Sequence, residues 1–105
     1  MAPSYATTQP ERADIDALRG PAVVEFGTDW CGFCRGAQPL IGAAFVDYPQ
    51  IQHLKVEDGK GRPLGRSFAV RLWPTLIFLK DGKEIARVTR PDSADDVRAA
   101  LAQIA

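Results

Sequence analysis

The chain has 105 residues, 46% hydrophobic and 25% charged, enough for one domain over residues 1–105 to bury a core without covalent staples. Thirteen basic residues balance thirteen acidic ones, so no net field draws the chain toward nucleic acid or an anionic membrane. Residues 1–12 have neither a basic start nor an apolar stretch, and no later segment is long enough to span a bilayer, which makes a cytoplasmic, monomeric protein the expectation.

In chain order, residues 1–8 are expected to be loosely ordered. Thr8, Pro10 and Glu11 read as a helix start and Gly20-Pro21 as its stop, for a helix over about residues 10–19. Ala22 to Phe26 is a valine-rich run broken only by Glu25, which suits a strand buried on both faces. From Cys31 to Tyr48 the residues Ala37, Leu40, Ile41, Ala44 and Phe45 recur at helical spacing, and Pro39 is expected to kink that helix. Ile51 to Glu57 reads as a second strand, Asp58-Gly59-Lys60-Gly61 as a turn, and Pro63 to Ala69 as a short helix. Thr75 to Leu79 and Glu84 to Val88 flank Asp81-Gly82, a hairpin signal, so that pair is antiparallel. Asp92-Ser93 caps a last helix with Val97, Ala100, Leu101 and Ile104 on its apolar face. The order implies an α/β fold with a mixed sheet, helical crossovers and an antiparallel edge.

Both cysteines fall within Trp30-Cys31-Gly32-Phe33-Cys34. A bridge between them constrains almost none of the unfolded chain, so stapling is disfavoured. Together with the lone His53 they also fall short of the four ligands of a closed structural zinc site. Ideal helix geometry instead places their Cα atoms roughly 5 Å apart, within disulfide range. Cys31 lies where strand gives way to helix, so free amides and the positive helix end favour its thiolate. Cys34 lies one turn further in. That asymmetry makes Cys31 the thiol that attacks a disulfide and Cys34 the thiol that resolves the mixed disulfide. Glu25, among Val23, Val24 and Phe26, reads as a buried carboxylate whose pKa burial should raise.

Several spaced motifs resemble the thioredoxin family: Val23-Val24-Glu25-Phe26, Trp30 to Cys34, Pro39, Trp73-Pro74-Thr75 and Asp81-Gly82-Lys83. The resemblance covers nearly the whole chain. It implies the thioredoxin fold, a central mixed sheet of four to five strands flanked by about four helices. It also implies reduction of protein disulfides through a redox-active Cys31–Cys34 disulfide without a bound cofactor or metal, with thioredoxin reductase as electron donor. Under it Pro74 is a cis-proline facing the cysteines, and Trp30, Gly32, Phe33, Trp73, Pro74 and Thr75 contact substrate. Glu25 is the general base for Cys34, through water, and His53 stands where thioredoxins often carry a lysine that pairs with the buried acid.

Departures from the pattern are informative. Trp73 replaces a small aliphatic residue and is expected to form an aromatic wall beside the thiols that narrows or reshapes the peptide groove. Gly27 and Thr28 replace bulkier residues, and Arg90-Pro91-Asp92 lies where thioredoxins have a glycine under the substrate path, which sets the chain apart for docking to the usual reductase. Gly32-Phe33 between the thiols provides no charge, so a reducing or intermediate potential is expected, on a scale where thioredoxin lies at about −270 mV and disulfide isomerase at about −180 mV. Arg35 and Arg71 read as solvated charges. The competing readings are a peptide-binding or redox-sensing module on the same fold, a glutathione-linked exchanger related to glutaredoxins, and an isomerase-like exchanger.

Overall fold

A run of apolar residues interrupted by one carboxylate forms the inner strand of the sheet. In the computed structural model, which describes residues 4–105, this strand is β1 (Pro21–Gly27), buried from Ala22 onward. The other strands are β2 (Gln52–Glu57), β3 (Thr75–Lys80) and β4 (Lys83–Thr89), in the sheet order β2-β1-β3-β4. β2 runs parallel to β1, while β3 and β4 are antiparallel to their neighbours, which is the expected mixed sheet with an antiparallel edge. Four helices are found among the described residues: α1 (Arg12–Asp16), α2 (Gly32–Phe45), α3 (Pro63–Ser67) and α4 (Ala94–Ile104).

The two-residue period of the strands sorts side chains between two cores. Val23, Leu76 and Phe78 face α2 and α4, meeting Ala37, Ile41, Val97, Leu101 and Ile104. Val24, Phe26, Val56, Ile77 and Leu79 face the other way, against Ile15 of α1, Leu64 of α3 and Phe68. Ser93 caps α4, accepting from the Asp96 amide at 3.3 Å, and the buried residues of that helix are Val97, Ala100, Leu101 and Ile104. Asp81 and Gly82 close the β3–β4 hairpin with φ of +51° and +78°, as a type I′ turn requires.

Several boundaries differ from expectation, α3 among them, which stops at Ser67 rather than Ala69. α1 is shorter than 10–19 because Glu11 is its N-cap, its amide donating to Asp14 Oδ2 at 3.1 Å, and the helix gives way at Ala17, where the Leu18 amide bonds to the Ile15 carbonyl in a tighter turn. α2 begins after Cys31, which is its N-cap, and ends in a turn where the Tyr48 amide bonds to the Phe45 carbonyl. Residues 1–3 lie outside the described residues, but Tyr5 and Ala6 are not loose. The Ala6 amide donates to the Lys55 carbonyl at 2.9 Å, the Glu57 amide returns a bond to the Ala6 carbonyl, and Tyr5 is 4% exposed.

Candidate active site

Strand direction assembles the site. β1 ends where antiparallel β3 begins, with Phe26 opposite Thr75, and β4 ends opposite Thr75 at Thr89. β2 ends beside Gly27, with the Asp58 amide on the Gly27 carbonyl at 3.0 Å. The segments holding Cys31, Asp58, Pro74 and Arg90 therefore meet at one end of the sheet.

Cys31 and Cys34 are both free thiols, 9% and 0% exposed. The Cys34 amide donates to Cys31 Sγ at 3.3 Å, so the first turn of α2 caps itself through the outer sulfur. Burial pushes the Cys34 thiol up to about 11, and a hydrogen bond to Cys31 adds to this, while bonds from the Thr28 backbone and Tyr5 oppose it. Trp73-Pro74 is a cis peptide, packed at the same end of the sheet.

Beneath Cys34 lies Glu25, fully buried. His53 Nε2 lies 2.8 Å from Glu25 Oε1, while the Tyr5 hydroxyl and Gln38 Nε2, the latter at 2.9 Å, both donate to Oε2. His53 stacks on Phe45 with ring centroids 4.2 Å apart, which fixes the plane of its imidazole. Lys55 Nζ donates to Gln38 Oε1 at 2.8 Å, orienting the amide so that its NH2 faces the carboxylate. Burial pushes the Glu25 carboxyl up, but hydrogen bonds from His53, Tyr5 and Gln38 outweigh it and leave the group below its ordinary value. The expected rise is thus reversed, because this buried carboxylate is not unpaired.

The remaining predicted residues divide into two sides. Gly32 and Phe33 join Gly36, Ala37, Arg90 and Pro91 in lining an open groove of about 680 Å3. The Arg90 guanidinium stacks 3.8 Å above the Phe33 ring, its Nε donates to the Trp73 carbonyl at 2.8 Å, and its amide bonds to the Pro74 carbonyl. Trp73 lies on the other side, beside the thiols. It packs on Tyr5, Cys31 and Cys34, meets Trp30 edge to face at 5.8 Å, and donates from Nε1 to Asp58 Oδ2. The Thr75 side chain is 2% exposed, and its hydroxyl bonds to the Leu72 carbonyl and the Thr89 hydroxyl.

Tyr5, Gln38 and Lys55 escaped the sequence reading. Gln38 follows Cys34 by four residues on a helix, and Lys55 follows His53 by two on a strand, so spacing alone places each on the site face. No local signal marks Tyr5. No group of three or more His, Cys, Asp and Glu side chains able to hold a metal occurs among the described residues, and none of their helices is long and apolar enough to cross a membrane.

The sequence model of the thioredoxin family matches residues 5–103. Thioredoxin 2 of Pseudomonas aeruginosa PAO1, solved in its reduced form, is similar with a TM-score of 0.89 and 56% sequence identity, over 99% of this chain and 96% of that one. The thioredoxin H-type of Picea mariana is 38% identical over 97 residues, covering 87% of this chain and 74% of that protein. Thioredoxin H-type 1 of Nicotiana tabacum is 36% identical over 66 residues, which is 63% of this chain but 52% of the relative's length.

Proposed function

The chain belongs to the thioredoxin family, and on that premise we propose that it is a protein disulfide reductase, acting in the cytoplasm as a single-domain monomer over residues 1–105. The observation that carries this reading is the thiol pair at the start of α2: Cys31 at the helix entrance with an amide on its sulfur, and Cys34 buried above a hydrogen-bonded carboxylate. The Cys31 thiolate attacks one sulfur of a substrate disulfide. That bond breaks, and the leaving sulfur takes the electron pair and a proton. Cys34 then gives up its proton toward Glu25 and attacks Cys31 Sγ, expelling the second substrate thiol and leaving a Cys31–Cys34 disulfide.

The electrostatics suit that sequence of events. Cys31 raises the Cys34 thiol by hydrogen bond and by charge, and both influences end once Cys31 is bonded to substrate. The resolving thiol therefore becomes easier to ionise at the step that needs it. Glu25, held below its ordinary value, is ionised at neutral pH and available as proton acceptor. Trp30 and Phe33, 70% and 61% exposed, form an apolar rim that, with Gly32, Trp73 and Pro74, seats the polypeptide around the disulfide. Thr75 supports that rim from below. Electrons return to the pair from a thioredoxin reductase, and the two sulfurs carry them without a bound cofactor.

Trapping with Cys34→Ser tests the reading. Cys31 should accumulate mixed disulfides with substrate proteins, and insulin reduction coupled to NADPH and thioredoxin reductase should be lost in the variant. An empty trap sinks the exchange mechanism, and a measured potential near about −120 mV would make the protein an oxidant instead.

A further inference from the structure

Gly27 closes β1 beside the resolving thiol. A Cβ built on it would lie 2.6 Å from Cys34 Sγ and 2.8 Å from the Tyr5 hydroxyl, closer than such atoms ever come. The bulkier residue common at this position in the family is therefore incompatible with the observed packing, and the vacated space is shared by a sulfur and a phenol. Tyr5 is held there from both sides: its amide donates to Asp29 Oδ1 at 3.0 Å, and the next residue, Ala6, bridges to Val56 of β2.

The polar partners of the phenol form a chain. Its hydroxyl donates to Glu25 Oε2 and accepts from Gln38 Nε2 at 3.3 Å, and it packs beside the Cys34 sulfur across the space left by Gly27. Glu25 Oε1 is taken by His53, and Oε2 by Tyr5 and Gln38. The Tyr5 oxygen thus sits beside the buried thiol while bonding the buried carboxylate.

We propose that the Tyr5 hydroxyl carries the proton from Cys34 to Glu25 in the resolving step, doing in this chain what a bound water was expected to do. This rests on the disulfide reductase reading above. The Cys34 S–H bond breaks and its proton passes to the Tyr5 oxygen as the Tyr5 O–H proton passes to Glu25 Oε2. The Cys34 electron pair forms the bond to Cys31 Sγ, the bond from Cys31 to the substrate sulfur breaks, and the substrate sulfur leaves with its electron pair. Glu25 later returns its proton through the same oxygen when the pair is reduced. Tyr5 receives one proton and gives one. It never becomes a tyrosinate, in keeping with burial and the Glu25 charge, which push its own ionisation far up. The titratable and charged groups facing it are Glu25 from β1, Cys31 and Cys34 from the start of α2, His53 and Lys55 from β2, and Asp29.

Stopped-flow reaction of the reduced protein with the aromatic disulfide 5,5′-dithiobis(2-nitrobenzoate) separates the steps. The first thiolate is released in proportion to reagent concentration, as Cys31 attacks. The second is released independently of it, as Cys34 resolves. Tyr5→Phe keeps the ring and removes the hydroxyl. It should slow the second phase at least tenfold, a floor set below the roughly 10²–10⁴-fold that a placed proton-transfer group contributes, and leave the first within twofold. Its second-phase rate should also rise by up to tenfold per pH unit through neutrality, where the wild type is flat, because hydroxide must then take the proton. With Glu25→Gln added, the double variant should be no slower than the slower single one. An unchanged second phase, a flat pH profile in Tyr5→Phe, or additive losses in the double variant would overturn the relay. Should Tyr5→Phe fail to fold, Gly27→Ala forces a methyl between sulfur and hydroxyl and carries the same test, an unchanged second phase again being the contrary result. A wild type lacking any concentration-independent phase would refute dithiol exchange itself, which is a separate outcome.

Discussion

Glu25 and Cys34 are displaced in opposite directions, and each makes a demand on stability. Cys34 holds its proton from an ordinary 9.0 up to about 11. The folded state thus binds that proton more tightly than the unfolded chain, so its contribution is complete below pH 9 and disappears between 9 and 11. The loss is on the order of 2 kcal/mol. Urea midpoints of the reduced protein should fall across that window, and those of Cys34→Ser should fall less. Glu25 is held down, so its contribution is present above its ordinary value of 4.5 and is lost as the pH drops below it. His53→Ala removes the 2.8 Å partner of Glu25 Oε1. It should cost about 1–3 kcal/mol at neutral pH and move the carboxyl upward, as side-chain carbon NMR would read. Of this residue-scale picture, the sequence showed that Glu25 is buried, because its neighbours are apolar. The direction of its shift was hidden, since Tyr5, Gln38 and His53 lie 20, 13 and 28 residues away.

The elements rest on local rules that substitutions can probe one at a time. α4 buries four side chains against β3, β4 and α2, and Leu101 is fully enclosed. Leu101→Ala should lower stability by about 2–5 kcal/mol, whereas Ile85→Ala, at a site 46% exposed, should change it by less than about 0.5 kcal/mol. Gly82 has φ +78°, and a Cβ there would strike the backbone of Asp16. Gly82→Ala should therefore cost more than about 1 kcal/mol in thermal unfolding. The hairpin and α4 were legible because a two-residue turn and a 3.6-residue period are written in consecutive positions. The length of α1 was not, since the helix ends at Asp16, where the β3–β4 turn packs against its backbone, rather than at Gly20.

At the scale of the whole molecule, sheet order decides what surrounds the thiols. Because β3 is antiparallel to β1, Pro74 precedes β3 at the same end where β1 delivers Cys31, and the β3–β4 register places Arg90 just beyond. The exposed face then carries Trp30, Phe33 and Leu72, half or more of each in solvent. If this rim seats polypeptide, Trp30→Ala with Phe33→Ala should raise KM for insulin about tenfold, some 1.4 kcal/mol, and leave reduction of a small aromatic disulfide within twofold. Equal losses on both substrates would place these rings in the chemistry rather than in recognition.

The sequence by itself determined the order of strands and helices, the mixed sheet, the apolar face of α4 and the spacing of the two thiols. These depend on periodicity, turn chemistry and short separations, which are properties of neighbouring residues. Only the tertiary structure decided that Tyr5 leaves a nominally loose terminus to bond Glu25, that Gly27 must lack a side chain beside Cys34, that the Thr75 hydroxyl bonds to the Leu72 carbonyl, and that Arg90 covers Phe33 and the Trp73 carbonyl. Each of these joins segments brought together by strand pairing, and the free energy of a buried polar group depends on partners that the local sequence does not name.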